Sequence, residues 1–181
     1  GNVTVLTNAI DSVVENYNYE IIYIDDKSTN TTRKEVKELN HPKIKLIEFK
    51  NNYGQSSALS AGIAEAKGDY IITMDGDMQN DPNDIPIMLK KLIEEDYDLI
   101  TGIRKNRKDN IIKRIPSKIA NAIIKRTTGL KVTDAGCALK VMRAETAKEL
   151  PLYGELHRFI ALNAHINGAN IAEVPVNHRS R

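Results

Sequence analysis

Apolar residues along this chain come in two rhythms. Runs of strand length stand at "EIIYIDD" (20–26), "KIKLIEF" (43–49), "DYIITMD" (69–75) and "YDLITGI" (97–103). Between them apolar positions recur at helical spacing: Val36 and Leu39; then Ala58, Leu59, Ile63 and Ala66; then Ile85, Met88, Leu89, Leu92 and Ile93. Gly68 stands where a helix C-terminal glycine belongs. The alternation predicts crossover units and an α/β domain with a mostly parallel central sheet, helices covering both faces. At the start, Leu6, Ile10, Val13, Val14 and Tyr17 fit a helix capped by Asn2, although "NVTVLT" alone also suits a short strand. With the helix, the chain opens on a crossover helix that no strand precedes.

The second half changes character. From Arg104 to Arg126, nine basic residues meet one acid, Asp109, while Ile111, Ile112, Ile115, Ile119, Ala122 and Ile123 keep a helical spacing broken near its start by Pro116. Such a basic amphipathic helix fits two situations. One is a surface helix with a solvated basic face; the other is a face resting on anionic lipid or gripping phosphates.

Composition narrows the class. A chain of 181 residues has room for one α/β domain, and its 26 Lys and Arg against 24 Asp and Glu leave any basic surface to local clustering. Nothing points to nucleic acid as a partner. Cys137 is the only cysteine, which excludes an internal disulfide and a thiolate zinc site and fits a reducing compartment. No apolar run approaches the roughly 18 residues of a membrane span, and the start does not read as a signal peptide, so the fragment is expected to be soluble.

Chemistry concentrates at strand ends. "DYIITMDGDMQNDP" carries a strand built for burial straight into Asp75, Asp77 and Asp81. Each close carboxylate pair costs roughly 4 kcal/mol at an effective dielectric near 20 unless a cation joins it. Oxygen donors from Asp75, Asp77 and Gln79 suit a hard ion such as Mg2+ or Mn2+, at the sheet edge where α/β proteins bind ligands. A calcium loop does not fit: Asn80 replaces the required glycine, Pro86 the bidentate glutamate, and a strand precedes where a helix should. Asp81 and Asp84 are better placed to start the next helix. "YIDDKST" repeats the pattern, with Asp25 and Asp26 at a strand end and Ser28, Thr29 and Asn30 able to turn the chain. Two acidic strand ends also suit a phosphoacceptor receiver domain, but the length, Gln79 and the basic second half do not.

Together "YIDDKST", "NNYGQSSALSAGIAEAKGDYIITMDGDMQNDP", "ITGIR" and "ELHRFI" resemble glycosyltransferase family 2, and more narrowly its polyprenyl-phosphate glycosyltransferases. The resemblance covers nearly the whole chain and implies a GT-A nucleotide-sugar-binding fold in a single catalytic domain, residues 1–181. It implies a first strand that is missing here, C-terminal membrane helices in many members, and hence a domain shortened at both ends. The intact protein would then work at the cytoplasmic face of a membrane.

The implied reaction transfers a hexose, with inversion, from a UDP- or GDP-linked sugar to a polyprenyl phosphate such as undecaprenyl or dolichyl phosphate. Asp75, Asp77 and Gln79 would hold the metal; Asp25, Asp26, Asp75 and Gly54 would line the nucleotide site; Asp134 and Asp77 would act at the reacting centre. Asp134 also has a structural reading, an ion pair with Lys131 or Lys140. A phosphate acceptor is already anionic and needs no general base, only cations, and Arg104, Lys113, Arg114 and Ser117 are the residues assigned to it. His157 and Arg158 carry a milder claim. Other members extend polysaccharides on a sugar hydroxyl, the alternative reading, and a homo-oligomer is compatible with either.

Overall fold

The computed structural model describes residues 2–104 and 132–179. The basic stretch that follows Arg104, with Lys113, Arg114 and Ser117, lies outside the described residues. Helix α1 (Asn2–Val14) leads to strand β1 (Ile21–Asp25), α2 (Thr32–Glu38), β2 (Ile44–Glu48), α3 (Gln55–Glu65) and β3 (Tyr70–Thr73). Then come α4 (Asp84–Glu94), β4 (Leu99–Arg104), β5 (Lys140–Arg143), α5 (Ala144–Lys148), a 3-10 turn (Leu156–Phe159), α6 (Ile160–Ile166) and β6 (Ile171–Val176). The N-terminal segment is therefore helix and not strand.

The sheet is mixed. Strands β1 and β2 pair in parallel, and a four-stranded sheet runs β3-β5-β4-β6. In it β4 and β6 are parallel, while β5 runs antiparallel to both β3 and β4. The parallel expectation came from counting strands that follow helices; β5 escapes that count because "KVMR" is only four residues with a charge at each end.

Two apolar layers cover the larger sheet. Ile71, Leu99 and Met142 face Ile63 of α3 and Ile160, Ala161 and Ala164 of α6. On the other face Ile100 and Val141 pack against Ile85, Met88, Leu89 and Leu92 of α4. Ile93 is 46% exposed and stands outside the stripe. Gly102 permits the tight crossing of β4 and β6, since a Cβ there would lie 2.7 Å from Val176 and 2.9 Å from the Cys137 sulfur.

Some boundary expectations change. Helix α3 ends at Glu65 because Ala66 turns extended, so Gly68 is no helix cap. Asp84 is the first residue of α4, after an N-cap, Asn83, that makes no side-chain capping bond. Its carboxylate instead accepts the backbone N–H of Asn177 at 2.7 Å and its amide at 3.1 Å, tying the exit of β6 to the start of α4. Between the facing edges of β1 and β3 lies a cleft of about 600 Å³ lined by Ile22, Ile24, Ile72, Met74 and side chains of α3 and α4. An extended strand laid there would meet a backbone ladder on either side.

Candidate active site

Each acidic strand end is built by its own backbone needs. Asp25 is buried, and its carboxylate accepts the Ser28 N–H at 3.1 Å and the Arg33 guanidinium. Burial alone would raise the Asp25 carboxyl, but Ser28 and Arg33 together hold it below its ordinary value. Arg33 also donates to the Phe49 carbonyl at 3.0 Å, so Asp25 locks α2 and the end of β2 together. Asp26 faces the other way. Its two oxygens accept the N–H groups of Tyr53 at 2.6 Å and Gly54 at 2.8 Å, shaping the loop that enters α3. Gly54 there has φ 84°, a left-handed conformation that favours glycine.

The first turn of α3 joins this loop to the second acidic end. Gln55 donates its amide to Asp75 Oδ1 at 3.1 Å. Ser56, 1% exposed, accepts the His157 backbone N–H at 3.1 Å and shares a 2.9 Å hydrogen bond with its Nδ1. Burial pushes His157 below the usual histidine value. Gln55 and Ser56 were not singled out from sequence, although both lie within the "NNYGQSSALS" stretch that carries the resemblance.

The loop after β3 is closed from outside. Asp77 Oδ1 accepts the Gln79 N–H at 3.1 Å, an Asx turn, and Met78 between them sits at φ 66°. Asp75 donates its N–H to Asn80 Oδ1 at 3.4 Å. The C-terminal residues complete the loop: Asn80 bridges to His178, Arg179 donates its N–H to the Gln79 carbonyl at 2.8 Å, and its guanidinium meets Asp81 at 3.1 Å. Asp81 also accepts the Asn83 N–H at 3.1 Å, and these partners outweigh burial and hold its carboxyl low.

Asp134 and Arg104 meet each other. Arg104 Nε and Nη2 donate to the two Asp134 oxygens, each at 2.7 Å, and the Arg104 N–H adds a third bond at 3.2 Å. Asp134 therefore pairs with Arg104; Lys131, one of the two lysines expected as its partner, lies outside the described residues. Glu173 of β6 accepts the Thr133 N–H at 2.8 Å and the Asp134 N–H at 3.1 Å, fixing the loop that presents Asp134; nothing in the sequence marked Glu173.

Among the described residues no group of three His, Cys, Asp or Glu side chains converges to hold a metal ion. Asp75, Asp77 and Gln79 offer two carboxylates and an amide oxygen, a donor set that Mg2+ or Mn2+ accepts when water and phosphate oxygens complete the shell. The donor set present therefore fits a hard divalent ion.

This combination of mixed sheet, flanking helices and an acidic loop at the carboxyl end of β3 defines a GT-A glycosyltransferase fold. Glucosyl-3-phosphoglycerate synthase from Mycobacterium tuberculosis superposes with a TM-score of 0.74 at 17% identity, over 95% of this chain and 66% of that one. A structure of that enzyme with Mn2+ and uridine-diphosphate-glucose gives 0.71 at 17% identity, over 96% of this chain and 67% of that one. The family model for glycosyl transferase family 2 matches residues 2–150, and the chain belongs to that family. A dodecaprenyl-phosphate galacturonate synthase from Rhizobium johnstonii is 42% identical over 171 residues, 91% of this chain and 51% of that protein. The chain thus spans about half the length of that curated relative.

Proposed function

We propose that residues 1–181 form the catalytic domain of an inverting glycosyltransferase that moves a hexose from a nucleotide diphosphate sugar to a polyprenyl phosphate at the cytoplasmic face of a membrane. The observation that carries this reading is the loop Asp75–Gln79, placed by Gln55 beside the start of α3 and the Asp26 loop. The relative's dodecaprenyl-phosphate chemistry supports the lipid acceptor. The Mn2+ and uridine-diphosphate-glucose bound by the structural neighbour support a divalent ion at Asp75, Asp77 and Gln79.

When bound, that ion neutralises the charge developing on the departing diphosphate. The chain's own residues do the positioning. Asp26 and Gly54 shape the rim on which the nucleotide base would rest, and Asp75 and Asp77 stand at the diphosphate. Asp134 borders the sugar site with its carboxylate charge balanced by Arg104. Because the acceptor phosphate is already anionic, catalysis calls for cations and orientation with no proton abstraction, and Lys113, Arg114 and Ser117 are assigned to that phosphate.

Arg104 favours a second reading. Its fork is engaged by Asp134, which lessens its claim on a phosphate and leaves room for a family member that acts on a sugar hydroxyl. Incorporation of radiolabelled UDP- and GDP-sugars by the full-length enzyme, with polyprenyl phosphate or oligosaccharide acceptors, separates the two. Metal-dependent label in the lipid-linked fraction is the expected outcome. Label on the sugar acceptor alone would establish the alternative.

A further inference from the structure

One charged side chain beneath the site has no place in the chemistry above. Lys140, at the head of β5, pairs across the sheet with Thr73 of β3 on one side and Thr101 of β4 on the other. Cross-strand partners share a face. This face also carries Ile71, Leu99 and Met142, so Lys140 stands where the apolar layer under α3 and α6 gives way to charge. It is 2% exposed, and its ammonium donates to the Cys137 carbonyl. Three N–H donors leave more to satisfy than one carbonyl. Thr101 Oγ1, in the same row, is buried with no hydrogen-bond partner among the described residues.

Burying a lysine is unfavourable unless opposite charge compensates for lost water. Burial lowers the Lys140 ammonium's affinity for its proton, and Cys137, Asp134 and Asp75 act against that, with Arg104 on the side of burial. Asp75 lies two residues beyond Thr73, and Asp134 is in the loop that Cys137 closes through its N–H to the Asp134 carbonyl at 3.2 Å. His157, bonded to Ser56 above, feels both Lys140 and Asp75.

We propose that Lys140 is a positioning residue that serves as the site's resident counter-cation. Its charge offsets that of Asp75 from beneath the site before any metal arrives, while Arg104 answers Asp134. It also weakens the site's grip on a bare divalent ion, so that the ion is held firmly only alongside a diphosphate. This rests on the donor-site reading above and adds to it an order of binding: the nucleotide's own negative charge is what admits the metal.

Replacing Lys140 with methionine keeps an unbranched chain and removes the charge. Calorimetric titration of the 181-residue chain with Mn2+ alone should give K140M about tenfold tighter binding than wild type, the scale of one unit charge removed near a divalent ion. The enhancement of Mn2+ binding by UDP should shrink correspondingly. A merely structural role predicts the reverse sign. Unchanged or weaker binding of Mn2+ alone by folded K140M overturns the inference and leaves the donor-site reading intact. If circular dichroism shows K140M unfolded, K140Q, whose amide can still donate to Cys137, carries the same comparison. Failure of wild type to bind Mn2+ with or without UDP overturns the donor-site reading and this inference with it.

Discussion

Asp25 and Asp26 are adjacent, yet the fold uses them for opposite purposes, and their variants should part accordingly. Asp25 is a structural anchor. Because its folded-state carboxyl is held low, the stability it adds is present above the ordinary aspartate value of about 3.9 and is lost as pH falls through the folded value. D25N should cost about 3 kcal/mol at neutral pH in urea unfolding, and the gap to wild type should close on acidification toward pH 3. D77N lies in the loop proposed to hold the metal; it should lower metal-dependent transfer about a hundredfold or more with the circular dichroism spectrum unchanged. D134N removes the charge that answers the Arg104 fork, and a midpoint shift worth about 2 kcal/mol in urea is the expected result. These acids were legible as a group because apolar runs end in them. Their division of labour was not, since whether a carboxylate meets Arg33, Arg104 or a loop N–H depends on partners far along the chain.

At the level of elements, the apolar periodicity marked α1 to α4 and the strands β1 to β4, because each buries a stripe that its spacing announces. Strand β5 was hidden by the property that makes it useful: it opens on a lysine buried at the centre of the sheet. The loop after β3 stood out in the sequence as a candidate ligand site, but its closure by Asn177, His178 and Arg179 did not, because that contact spans about a hundred residues. The crossing of β4 and β6 is testable by one methyl group. G102A should destabilise the chain by about 2 kcal/mol in thermal or urea unfolding, since Val176 and Cys137 already occupy the space.

For the whole molecule, the α/β class and the family were readable from ordered motifs, and the mixed direction of the sheet was not. The cleft between β1 and β3 carries a consequence for how this polypeptide behaves in a tube. Among the described residues two open ladders, five and four residues long, flank a slot whose walls include isoleucine and methionine. Sheet edges of that kind recruit other chains. Light scattering of the 181-residue chain should therefore rise with concentration. A short β-branched peptide, supplied in excess, should suppress the scattering and slow hydrogen exchange at the alternate amides of both edges, acting as a soluble chaperone for a surface that otherwise seeks its own kind.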